Sequence, residues 1–141
     1  MKLTGRILAL TLTILPMVAA AQLRQDGKIV ANVPFEFTVG NQVMPAGTVT
    51  VLRTSANNQG LLIRDASAKQ AVMLMARQDE IKSTPKEYTL VFHQYGDRCF
   101  LSAIKLAGSR IAYRLPENKA EAELRAQSGT KNEQTIVASL Q

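Results

Sequence analysis

VANVPFEFTVGNQVMPAGTVTVL, residues 30–52, holds two strand-like runs on either side of a dense cluster of turn residues. In the first run Ala31, Val33, Phe35, Phe37 and Val39 alternate with Asn32, Glu36 and Thr38. A period of two gives a strand one apolar face and one wet face. Gly40-Asn41 and Pro45-Ala46-Gly47 are two turn signals close together, and a β-branched run resumes at Thr48. The expectation is a β protein whose later strands add to the apolar face of this stretch. Residues 29–39 read as one strand. Pro34 has no N–H to give a ladder, so that strand is expected at a sheet edge or with a bulge.

Further along, residues 48–53 read as a strand, 54–60 as a loop, and 61–64 as a short apolar strand followed by a turn over 65–69. AVMLMA, residues 71–76, is nearly continuous in apolar character, and its length suits a strand buried on both faces. Residues 78–86 are charged and run into Thr84-Pro85, which reads as a surface loop.

Residues 88–105 form the clearest hairpin, with Gly96-Asp97 as a two-residue turn. Tyr95 then faces Arg98, and pairing continues as Gln94–Cys99, His93–Phe100, Phe92–Leu101, Val91–Ser102 and Leu90–Ala103. Alternation puts Leu90, Phe92, Cys99, Leu101 and Ala103 on a core face. Val91, His93, Tyr95, Arg98, Phe100 and Ser102 fall on the other. Residues 110–115 alternate as a strand. Residues 116–127 are the one convincing helix, capped by Asn118 with Glu121 answering three positions on, as in a capping box. Lys119–Glu123 and Glu121–Arg125 are spaced to pair along its surface. Its apolar stripe is thin, and Ser128-Gly129 ends it. Residues 135–140 suit a last short strand.

The N-terminus, MKLTGRILALTLTILPMVAAAQ, has a basic start, an apolar run from Ile7 to Val18, and small residues at Ala19 and Ala21. This is the layout of a cleaved secretory signal peptide, residues 1–21, with cutting expected after Ala21. The apolar run is shorter than the ~20 residues that span a bilayer. Removing 21 of the 141 residues leaves 120, enough for a single β-rich domain over residues 22–141. The loss of Lys2 and Arg6 takes 17 basic residues to 15 against 11 acidic ones, or +4. So small an excess does not define a partner. No second apolar stretch is long enough to cross a membrane, so the mature chain is not expected to span one. Cys99 is the only cysteine, which excludes an internal disulfide and leaves pairing between chains as its one disulfide option.

VPFEFTVGNQVMPAG, LVFHQYGDRCFL and LPENKAEAEL occur in this order behind the leader. Together they resemble a group of small exported β-proteins common in acidobacterial genomes, which show a similar F-x-V-G-N…L-P-A-G turn, an F-x-x-Y-G-D hairpin and an L-P-led helix. The resemblance covers residues 30–124. The chain departs from it at Met44, before Pro45, and at Cys99, where an aromatic is common. It implies a β fold and an envelope location, and brings no activity with it.

Most chemistry is poorly provided for. His93 is the only histidine, so it is the only imidazole base, and the hairpin register puts Cys99 on the opposite face. One His and one Cys on opposite faces do not make a zinc site, and the aspartates lack calcium-loop spacing. The glycines form neither a phosphate loop nor a dinucleotide fingerprint, so no cofactor is expected. The small charge and few aromatics argue against nucleic acid. Paired carboxylates for glycoside cleavage meet only in a fold, so the sequence neither shows nor excludes them.

The best candidate binding patch is His93, Tyr95, Arg98 and Phe100 on one hairpin face, since aromatic and arginine residues concentrate at interfaces. Cross-strand pairing that stabilises the hairpin explains the same residues. The expectation is therefore a small antiparallel β-sandwich or partly closed β-barrel of seven or eight strands with one short C-terminal helix. Its expected role is a non-enzymatic domain of the periplasm or cell surface, acting by contact with an envelope protein or as an envelope component. The alternative is a barrel carrying a small apolar ligand, with AVMLMA, Phe35, Phe37 and Phe92 lining a cavity.

Overall fold

The computed structural model describes residues 27–54, 59–67, 69–129 and 131–141. The expected leader, residues 1–21, and most of the 54–60 loop lie outside the described residues. Eleven strands and one helix follow in the order β1 (Ile29–Val33), β2 (Phe37–Val39), β3 (Gln42–Met44), β4 (Gly47–Arg53), β5 (Gly60–Asp65), β6 (Ala71–Met75), β7 (Arg77–Glu80), β8 (Tyr88–Tyr95), β9 (Arg98–Lys105), β10 (Ile111–Arg114), α1 (Lys119–Ser128) and β11 (Asn132–Leu140).

One sheet runs β3-β2-β9-β8-β11-β1-β4-β5-β6 and curls into a nearly closed barrel. Closure continues through the chain itself. Beyond Ala76, β7 pairs with β10, and β10 pairs with the far half of β9 at Ala103–Lys105. The near half of β9 is met by β2 at Thr38↔Phe100, the one parallel contact among the described pairs. A seam remains between β3 and β6, the two ends of the hydrogen-bonded path.

The barrel is filled with side chains. Phe37, Phe92, Met44, Leu61, Ile63, Leu90 and Ile104 are all under 2% exposed, with valines from β1, β2 and β4 between them. Phe92 sits at the centre, with the rings of Phe35 and Phe37 edge-on to it at 5.1 and 5.2 Å. Each such aromatic pair adds about 0.5–1.5 kcal/mol beyond its buried area. These three rings therefore pack on one another, where the carrier reading wanted them to line a cavity.

Several sequence expectations change. The 29–39 run is two strands: β1 lies between β11 and β4 and ends at Val33, so Pro34 follows it past the last β11 pair at Ala31, where β4 alone lies alongside. The period of two nevertheless survives the break, since Ala31, Val33, Phe37 and Val39 are buried and Phe35 partly so. The turn cluster contains a strand of its own, β3, folded back on β2. AVMLM is not buried on both faces. As β6 it pairs with β5 alone, leaving Met73 70% and Met75 62% exposed. The 78–86 loop begins as strand β7, held by charge: Arg77 lies opposite Arg114, and Asp79 binds both. The last strand starts at Asn132 and lies between β8 and β1, well inside the sheet.

The β8–β9 hairpin has the expected ends and the expected pairs from Tyr95↔Arg98 to Phe92↔Leu101. Gly96 has φ 62°, a conformation that side-chain-bearing residues adopt only with strain. Beyond Phe92 a bulge shifts the register, so Val91 meets Ala103 and Leu90 meets Ile104. Ile104, not Ala103, therefore joins Leu90, Phe92, Cys99 and Leu101 in the core. Ser102 is the extra residue. A bulge twists the strand and re-aims the side chains around it.

Candidate functional site

Helix α1 covers part of the outer wall of this hairpin. Asn118 caps it: Oδ1 accepts from the Glu121 N–H at 2.7 Å, and Nδ2 donates to the Gly40 carbonyl at 2.6 Å. The cap thus ties the helix start to the β2–β3 turn at the lip of the seam. Gly129, at φ 64°, closes the other end with its N–H on the Arg125 carbonyl.

Glu121 is the only buried residue of the helix, 6% exposed. The sequence suggests a surface ion pair with Arg125, but Arg125 turns to Glu117 at 3.3 Å. Glu121 faces the sheet, where Oε1 lies 3.1 Å from His93 Nδ1 and accepts from the Tyr95 hydroxyl at 3.3 Å. A carboxylate only accepts, which assigns the ring proton of His93 to Nδ1. Burial, together with the Glu121 charge, pushes the Tyr95 phenol above its usual range. A helix with so thin an apolar stripe docks by hydrogen bonds. That thinness was the one signal in the sequence that Glu121 faces inward.

The four residues of the expected patch share the outer wall, but the wall is only partly open. Tyr95 is 4% and Phe100 2% exposed, and their rings meet edge-on at 5.9 Å. His93 is half-buried beneath the helix, and Arg98 is exposed with its guanidinium 5.2 Å from the Phe100 ring centre. Arg98 over Phe100 is a cation–π contact. Cys99 lies in the core, away from His93, and burial pushes its thiol up. A disulfide to another chain would first have to bring it out.

Two concave features stand out on this surface. The first is a cleft of about 390 Å³ between the hairpin and the 115–121 segment. It is lined by His93, Ser102, Glu117 and Glu121, by Arg77 and Arg114, and by Met75, Leu115 and Pro116. Arg77 grips Asp79 through Nε and Nη2 at 2.8 and 3.0 Å, and Arg114 Nε reaches the same carboxylate at 2.6 Å. The Arg77 hydrogen bond does most to hold Asp79 below the usual carboxylate range. The sequence considers Arg114 only among residues weighed for nucleic-acid binding and does not pair it with Arg77, because most of β7 reads there as a loop.

The second feature is a shallow groove of about 620 Å³ along the seam, lined by Gly40, Asn41, Gln42 and residues 71–74. Val72 and Leu74 point inward against the core, while Ala71, Met73 and Met75 face out. Among the described residues no group of three or more His, Cys, Asp or Glu is placed to hold a metal, and no helix is long and apolar enough to cross a membrane. Compared with known proteins, the chain matches no family model, no curated protein and no solved structure.

Proposed function

We propose that the chain is an exported, non-enzymatic β domain of the periplasm or cell surface that works by protein contact, with β6 as its contact edge. One observation carries this reading. β6 is five residues long, has no charge or proline, bonds to β5 alone, and exposes two methionines. Natural proteins blunt such edges with charge, proline, bulges or a cover, because a bare apolar edge recruits another strand. Exposed methionines suit a contact surface, since their flexible side chains repack against varied partners. The leader at residues 1–21 supports export.

The occupant is an extended strand of a different protein. Lys69 and Arg77 flank β6, and Arg64 on β5 stands opposite Ala71. Antiparallel self-pairing centred on Met73 would set Lys69 of one copy against Arg77 of the other, and like charges directly opposite destabilise a sheet. A strand with an apolar centre and acidic flanks meets this edge without that conflict. Its backbone bonds supply affinity and its alternate side chains supply specificity. The carrier alternative has less support, because its phenylalanines fill the core and its methionines face outward.

The test is a native mass spectrum of the protein purified gently from its own envelope fraction, for wild type and Met73→Lys. The expected result is a one-to-one complex with another chain that disappears in the variant while the melting temperature holds. A bare monomer, a homodimer, or a complex untouched by Met73→Lys would overturn the reading.

A further inference from the structure

The cleft beside α1 gathers residues from β6 to α1, and two of its arginines have more donors than Asp79 takes up. Arg77 and Arg114 occupy directly opposed positions on β7 and β10. Two guanidiniums on one carboxylate leave a local excess of one positive charge. Three of their N–H groups bind Asp79. Each guanidinium carries five such donors, so the contacts with Asp79 use three of ten, and a planar guanidinium can take a carboxylate through two parallel N–H groups.

The same lining carries two carboxylates that already have partners. Glu117 is matched by Arg125, and Glu121 by His93 and Tyr95. Paired within the fold, they leave Arg77 and Arg114 as the cationic groups of the lining that an anion can meet. Met75, Leu115 and Pro116 offer an apolar lining to the rest of a ligand. A volume of about 390 Å³ lies within the range of small-molecule sites.

We propose that the Arg77–Arg114 cleft binds a small amphipathic carboxylate, its anionic head on the two guanidiniums and its apolar body along Met75, Leu115 and Pro116. The site lies on the outer wall of the barrel, apart from the filled interior. It stands independently of strand addition at β6, although Met75 and Arg77 adjoin both features.

The experiment titrates the whole mature protein with hexanoate, with hexanol as a neutral control, while following the arginine Nε–H and His93 ring signals by NMR. Hexanoate should bind in the millimolar range and shift Arg77, Arg114 and His93, whereas hexanol should leave the arginine signals in place. Arg114→Gln and Arg77→Gln should each weaken hexanoate by about tenfold, the loss expected for one charge-assisted contact. Each variant's thermal unfolding is recorded alongside to show that it is folded. Met73→Lys, outside the cleft, should bind hexanoate as the wild type does even where it abolishes the partner complex, which separates this site from the contact edge. No shift at the arginines, equal shifts with hexanol, or undiminished binding in both folded arginine variants would overturn the proposal.

Discussion

The runs LVF in β8 and AVMLM in β6 are similarly apolar, yet they end in opposite environments. Leu90, Val91 and Phe92 are all under 4% exposed, while Met73 and Met75 stand largely in solvent. The difference lies in neighbours. β8 is paired on both sides, by β9 and β11, and part of its outer face is roofed by α1. β6 has β5 on one side and a seam on the other. An apolar run records what a strand can bury. Topology decides whether anything arrives to cover it, and at β6 we assign that cover to a partner.

The largest test of this contrast is Phe92→Ala at the covered end. Emptying the centre of three packed rings should cost about 3–5 kcal/mol in urea unfolding, and a loss under about 1 kcal/mol would mean the ring does not fill the core. Glu121→Ala comes next, at about 1–3 kcal/mol, because it strips a buried tyrosine and a half-buried histidine of their shared acceptor. Gly96→Val belongs in the same range, about 1–3 kcal/mol, for forcing a β-branched residue to positive φ. An unchanged midpoint would count against the hairpin turn.

The pH dependence of Tyr95 is subtler. Its folded-state phenol holds its proton more tightly than the unfolded chain, whose tyrosine titrates near 10. That contribution is complete below pH 10 and is lost as pH rises through the folded value. Tyr95→Phe should therefore flatten the alkaline fall in stability, seen by comparing unfolding free energies on either side of pH 10. Equal slopes would show that the phenol is not perturbed. Met73→Lys, at the uncovered end, should shift stability by no more than about 0.5 kcal/mol, since it changes only a solvent-facing side chain. A large loss would mean that β6 is packed against its own domain.

The hairpin and helix were legible because their signals are local. Gly96-Asp97 sets the turn, Asn118 the cap and Gly129 the stop, and each needs only its immediate neighbours. β7 was not legible. Arg77-Gln78-Asp79-Glu80 has no apolar alternation, and it is a strand where β10 pairs with it and Arg114 reaches Asp79. The bulge at Ser102 leaves no mark in composition, so its change of partner from Ala103 to Ile104 could not be foreseen. The patch around His93 showed its face through alternation, but its partner Glu121 came from a helix that reads as a solvated one. The arginine cleft was not legible for the same reason as β7, since Arg77 and Arg114 meet only in the fold.

The most direct measurement is amide hydrogen exchange along β6, residue by residue, in the isolated domain and in its native complex. Strand addition at β6 requires slow exchange in the isolated domain for N–H groups bonded to β5, fast exchange for those facing the seam, and slowing of the latter once the partner strand is bound. Seam-facing amides that exchange equally fast in domain and complex would contradict strand addition at β6, and with it the contact function assigned to this edge.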